Sequence, residues 1–225
     1  MAQKVKNVTG FEVMPHICCR DKNAIAMRST FLGASINDIN NFLIITGDPI
    51  PVMARQVVKS VFNFDSVGLM RIADEMNSEA LKDSPLTYGG AINQSRRRIE
   101  SEIKRVQKKM EAGAEFFLTQ PVFTAEDAER LRRVKEETGA RILCGIMPLV
   151  SRKNALFMKN EISGVNVTDE VIERYPENAD REDGENVGVE LAKEMIAATR
   201  DFADGYYFSF PFNRTYLLKR IIEEL

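Results

Sequence analysis

Glu111-Ala112-Gly113-Ala114-Glu115-Phe116-Phe117-Leu118-Thr119-Gln120-Pro121 holds a helix end, a turn and a whole strand. Gly113 supplies the left-handed backbone that closes a helix's last turn. The apolar run behind it suits a parallel strand covered on both faces. The strand stops on polar residues and a proline. The same order recurs along the chain. Val8-Thr9-Gly10 precedes Val13-Met14-Pro15-His16, Glu137-Thr138-Gly139 precedes Ile142-Leu143-Cys144-Gly145, and Ala203-Asp204-Gly205 precedes Tyr206-Tyr207-Phe208. Repeated strand–helix units build parallel sheets, and function then gathers at the carboxyl ends of the strands.

Working outward, residues 1–9 read as the tail of a helix. Val13 to Cys19 reads as a strand, Ala24 to about Ser35 as a helix, and Phe42 to Thr46 as a strong strand ended by Gly47-Asp48-Pro49. A loop runs to about Val61. Asp65 or Ser66 caps a helix reaching about Asn77. Leu86 to Ile92 is a strand. Ser95 to Ala112 is the clearest helix, with Ile99, Ile103, Val106 and Met110 as its buried stripe. Thr124 caps the next helix, with Asp127 in the capping-box position. Ile142 to Ile146 is a strand, and a helix starts near Lys153. Residues 161–186 read as a polar excursion with a short helix near Asp169 to Tyr175. A long helix from about Val187 to Phe202, the strand Tyr206 to Phe208 and a final helix complete the chain.

About six strands result, each followed by a helix, in one domain spanning 1–225. A closed (β/α) barrel needs eight. Two architectures remain open: a doubly wound sheet, or a barrel whose first strand, helix and second strand lie outside this chain.

Composition excludes several classes. A net charge of -2, from 31 basic and 33 acidic side chains, argues against a general nucleic-acid surface. No apolar run reaches a membrane span, and the N-terminus has no signal region. Three cysteines, Cys18 and Cys19 adjacent, make neither a disulfide framework nor a zinc motif; reduced thiols in a cytoplasmic protein are expected. Rossmann, Walker and nucleophile-elbow patterns are absent.

The strand ends offer His16, Thr46-Gly47-Asp48, Asn93, Thr119-Gln120 and Asn213-Arg214. Singly each has a plain structural use: a turn former at Asp48, a core histidine at His16, a helix pair at Arg214. Their shared position is what points to a site. Arg105, Lys108 and Lys109 share a helix face and suit a phosphate or pyrophosphate. A solvated face, with Glu100 pairing Lys104 and Glu102 pairing Arg105, serves as well.

Read together, these segments resemble the methylenetetrahydrofolate reductase family. The resemblance lies in Pro15-His16-Ile17-Cys18-Cys19-Arg20-Asp21-Lys22-Asn23, Ile44-Ile45-Thr46-Gly47-Asp48-Pro49, Gly89-Gly90-Ala91-Ile92-Asn93, Met110 to Phe123, Gly145-Ile146-Met147-Pro148-Leu149-Val150-Ser151 and Phe212-Asn213-Arg214. Its branch is similar to forms fused behind a homocysteine methyltransferase domain. The resemblance implies an α/β TIM barrel, here N-terminally truncated, that holds FAD. It implies a flavoprotein oxidoreductase of one-carbon metabolism and methionine biosynthesis. Hydride passes from a reduced nicotinamide or another donor to the flavin, then to methylenetetrahydrofolate, giving methyltetrahydrofolate. His16, Thr46, Gly47 and Asp48 match flavin-contacting positions, Asp48 lying near both flavin and folate; Asn93 matches loosely. Arg105, Lys108 and Lys109 match the helix that meets the FAD phosphates. Gln120 matches the pterin-bonding residue, and Arg214 the cation for the folate tail. Asp48 and Gln120 are the expected catalytic residues.

The sequence departs from the family at Thr46, where some members carry Arg, and at Ala91-Ile92-Asn93, where some carry Tyr-Pro-Glu. The family's general-acid Glu, on the first barrel strand, has no counterpart. A homo-oligomer, or a subunit of a larger complex, is expected. A non-catalytic barrel fragment that binds folate or a partner is the alternative, and a lyase holding a phosphorylated substrate through Arg105, Lys108 and Lys109 is a third reading.

Overall fold

The structure, a computed structural model, describes residues 1–162, 164–178 and 180–223. Six parallel strands lie in one sheet in chain order: β1 (His16–Cys18), β2 (Asn41–Ile45), β3 (Thr87–Ile92), β4 (Phe116–Pro121), β5 (Ile142–Ile146) and β6 (Gly205–Phe208). Helices alternate with them: α1 (Ala2–Thr9), α2 (Ala24–Ser35), α3 (Ser66–Ser78), α4 (Ile99–Glu111), α5 (Ala125–Thr138), α6 (Arg152–Glu161), α7 (Asp169–Glu173), α8 (Arg181–Thr199) and α9 (Tyr216–Glu223). The chain divides into two compact units, residues 1–91 with 105–116, and residues 92–104 with 117–225. No helix among the described residues is long and apolar enough to cross a membrane.

In the first unit β1 pairs with β2 and β2 with β3. His16 lies opposite Leu43, Cys18 opposite Ile45, and Leu43 opposite Gly89. Ile17, Phe42, Leu43, Ile44 and Tyr88 are buried, as continuous apolar strands require. Asp65 caps α3 by accepting from the Gly68 N–H at 2.9 Å. The helix-closing glycines Gly10 and Gly113 take φ of 71° and 89°. At Gly113 the requirement is double: a Cβ there would lie 2.2 Å from the Tyr88 hydroxyl. That hydroxyl donates to the Ala112 carbonyl at 2.9 Å, tying the end of α4 to β3.

In the second unit β4 pairs with β5 and β5 with β6. Thr124 caps α5 by accepting from the Asp127 N–H at 3.1 Å, and the Asp127 carboxylate accepts from the Phe123 N–H at 3.3 Å. The Asp127 carboxylate thus serves backbone N–H groups at the start of the helix, as a capping box does. Gly139 ends α5 at φ 68°.

Three expectations need correction. Gly205 closes no helix: α8 ends at Thr199, and Gly205 opens β6 with no positive φ. The buried stripe of α4 is Ile99, Ile103 and Val106, while Met110 is 36% exposed. The polar stretch before Val187 is helical from Arg181, capped by Asp180, whose side chain accepts from the Asp183 N–H at 2.9 Å. Acidic residues in that first turn favour a helix start through its dipole. The start of α8 packs backbone against backbone. A Cβ at Gly184 would lie 2.5 Å from the Val150 carbonyl oxygen, and one at Gly188 2.0 Å from that of Leu149.

Buried Glu185 ties α8 to the chain after β6. It accepts from Arg181 Nε at 2.9 Å and from the Tyr216 hydroxyl at 2.5 Å, and Arg214 Nη1 lies 2.9 Å away. Burial pushes its pKa up, but the Tyr216 and Arg181 hydrogen bonds and the Arg214 charge outweigh that and hold it below the ordinary value. The ionised form is therefore favoured by folding. Its contribution is complete above the unfolded pKa of ~4.3 and is lost as pH falls through the lowered native pKa.

Gly113→Ala should lower stability by about 2 kcal/mol or more, read as a shift in urea midpoint, from strain at positive φ and the Tyr88 clash. Glu185→Gln should cost on the order of 2 kcal/mol at pH 7. It should also flatten the loss of stability below about pH 4.3, compared with wild type by urea midpoints across that range.

Candidate functional site

The strand exits of the first unit are built around a sharp turn. After β2 the chain passes through Thr46 and Gly47, where φ is 89°. A Cβ on Gly47 would stand 3.0 Å from Cys18 Cβ and 3.4 Å from Arg20 Cβ, so the backbone lies against β1's continuation. The Cys19 N–H donates to the Thr46 carbonyl at 3.1 Å. The Thr46 hydroxyl oxygen accepts from the Ser66 N–H at 3.1 Å and so holds the start of α3. Arg20 donates to the Asp48 carbonyl at 3.3 Å and pairs with Asp21 at 2.7 Å. Asp48 is exposed, and its carboxylate has no hydrogen bond or ion pair among the described residues.

His16 lies elsewhere on these strands. It opens β1 opposite Leu43, three residues before Thr46, so it is upstream of the exits rather than at one. Strand β1 is shorter than its apolar sequence suggested, because Pro15 has no N–H to give the ladder. Desolvation lowers the His16 pKa, which keeps the imidazole neutral at pH 7.

The basic trio on α4 differs in burial. Lys109 is only 4% exposed, and its ammonium donates to the Ala91 carbonyl near the end of β3. Arg105 is half-buried and Lys108 exposed. Glu100 meets Arg133 at 2.8 Å, and Glu102 meets Arg96 at 2.8 Å.

In the second unit the exit of β4 is irregular. Its register with β5 shifts between Leu118 and Pro121. Side chains take over the ladder there. The Thr119 hydroxyl accepts from the Gly145 N–H at 2.9 Å and donates to the Gln120 carbonyl at 2.7 Å. The Tyr207 hydroxyl donates to the Thr119 carbonyl at 2.5 Å. Gln94, with 0% exposure, donates to the Gln120 and Pro121 carbonyls at 3.1 and 3.2 Å. Its own amide oxygen is buried with no partner among the described residues.

The Gln120 carboxamide is thereby left out of the backbone network and forms no hydrogen bond among the described residues. Asn93 approaches it. The Asn93 N–H donates to Glu102 at 3.0 Å, and its side-chain oxygen accepts from the Ser95 N–H at 3.0 Å. A Cβ at Gly164 would lie 3.0 Å from Asn93 Nδ2 and 3.9 Å from Gln120 Nε2. Two amide donors thus converge beside one glycine. Arg214, by contrast, is held by Glu185, with its guanidinium 5.8 Å from the Phe212 ring centre. Phe212 and Asn213 carry φ of 56° and 58°, a conformation rare for residues other than glycine.

The thiols divide by burial. Cys19 and Cys144 are buried and pushed up to about 12, in each case mainly by desolvation, while Cys18 is half-buried. Sequence reasoning missed Gln94 and Glu185. Gln94 carried no signal, because its partners are carbonyls of another strand. Glu185 sits four residues after Arg181, a readable helical pair once the helix is known to start there.

The family model described as methylenetetrahydrofolate reductase matches residues 1–225. Comparison with curated proteins gives no match. Among solved structures, 2,3-dimethylmalate lyase, a PEP mutase/isocitrate lyase superfamily member, is similar with a TM-score of 0.52 at 14% identity, covering 99% of this chain and 62% of that one. A monomeric dihydrodipicolinate synthase variant gives a TM-score of 0.47 at 13% identity, over 94% of this chain and 67% of its own. The chain therefore spans 62% of the lyase's length. The lyase likeness speaks to fold alone: an α/β chain of the TIM-barrel type, incomplete at six parallel strands. Matched from end to end by one family model, the chain belongs to the methylenetetrahydrofolate reductase family.

Proposed function

We propose that this chain is a single barrel domain that binds FAD and reduces 5,10-methylenetetrahydrofolate to 5-methyltetrahydrofolate. Beyond the family match, the observation that carries the reading is the convergence of the Asn93 and Gln120 amide nitrogens beside Gly164. Flavin and pterin rings both present carbonyl and ring-nitrogen edges, and paired carboxamides are suited to such edges. The donor set fits FAD: carboxamides for a ring, and Arg105 and Lys108 for its phosphates, with Lys109 given to the Ala91 carbonyl. When bound, the flavin supplies the hydride chemistry.

The chain's own residues bind and orient. Gln120 holds the pterin edge. Asn93 borders the flavin, and the family resemblance assigns Thr46, Gly47 and His16 of the other unit to the same cofactor. Asp48, an exposed carboxylate close to the Arg20 charge, sets the charge that each ring meets. Arg214 meets the folate tail only by sharing its charge with Glu185. The electron donor is a reduced nicotinamide or another reductant.

Protein purified with its flavin should be yellow and should bleach anaerobically with methyltetrahydrofolate. Asp48→Asn should slow folate-dependent flavin reoxidation about tenfold or more while changing FAD affinity less, since it removes one charge from the reacting centre. Unchanged folate kinetics in the flavin-loaded variant would remove Asp48 from the mechanism. Colourless protein that still binds folate would favour the non-catalytic reading.

A further inference from the structure

The loop between β3 and α4 contains Arg96-Arg97-Arg98, and with Ser101 these residues line a hollow of 340 Å³. Nearby acids do not neutralise it. Glu102, 2% exposed, binds Arg96 with one oxygen and accepts the Asn93 N–H with the other. Glu100 is taken by Arg133 at 2.8 Å. Arg97 and Arg98 are exposed, and their guanidiniums have no hydrogen bond or ion pair among the described residues. The loop is fixed from α5, where Arg130 pairs with Glu126 at 3.2 Å and donates to the Arg96 carbonyl.

Two uncompensated guanidiniums, a third whose partner is buried, and one hydroxyl therefore face a single small space. Like charges held together repel, and an anion between them offsets that repulsion. A carboxylate brings one charge and two oxygens. A phosphoryl group brings up to two charges and three oxygens, enough for two guanidinium forks and the serine hydroxyl. We infer that the Arg96–Arg98 and Ser101 hollow binds the phosphoryl group of a phosphate ester. The inference stands apart from the flavin reading, because it rests on this hollow's own charge balance.

The test is calorimetric titration of the whole chain with inorganic pyrophosphate at physiological salt, with no flavin turnover involved. Saturable binding is expected, weakened at least tenfold by Arg97→Gln combined with Arg98→Gln. Arg141→Gln with Arg200→Gln removes the same charge elsewhere and should leave binding unchanged; thermal melts check that both variants fold. A repeat on FAD-saturated protein separates the sources. Displacement assigns the phosphoryl group to the flavin nucleotide, and undiminished binding to a second nucleotide. No binding to wild type, equal binding by both double variants, or displacement by citrate as strong as by pyrophosphate would overturn the proposal.

Discussion

Backbone groups at the end of β4 cannot all be served by the neighbouring strand, and much of the second unit follows from that shortage. The register shift between Leu118 and Pro121 frees carbonyls and an amide in a buried place. A buried polar group without a partner costs about 1–3 kcal/mol. Gln94, Thr119 and Tyr207 each supply a side-chain bond there. With these three securing the main chain, the Gln120 carboxamide stands beside Gly164, as the Asn93 amide does. The irregularity and the candidate site are one feature, as bulges beside functional positions often are.

Charge is arranged unevenly. Exposed pairs such as Arg133–Glu137 and Lys193–Glu190 link neighbours on one helix and contribute little. Glu102 and Glu185 differ because both are buried and each serves several donors. One fastens the turn after β3 and the other the chain after β6. Both lie next to a candidate ligand residue, Asn93 or Arg214, so the carboxylates hold in place groups that the sequence alone presented as free.

The strand–helix alternation was legible because glycines and apolar runs are local signals. Gly113 and Gly139 close helices as their sequence context implies, and Asp65 and Thr124 cap as expected. Legibility failed where partners are distant in sequence. Lys109 looks like a surface cation, yet it reaches back to Ala91. Arg214 looks available until Glu185 is seen beside it. His16 was placed at a strand exit because Val13 and Met14 extend the apolar pattern past a proline that cannot pair. The start of α8 escaped notice because its inner face is glycine and a buried glutamate, which give no apolar periodicity.

That inner face has a consequence for what holds the helix in place. Glycine inside a helix costs about 1 kcal/mol relative to alanine, and α8 carries Gly184 and Gly188 one turn apart. Its first two turns therefore lean on the Asp180 cap, the Arg181–Glu185 pair and close packing on the Leu149 and Val150 backbone. The two glycines thus trade intrinsic helix propensity for a close backbone approach that any side chain would block.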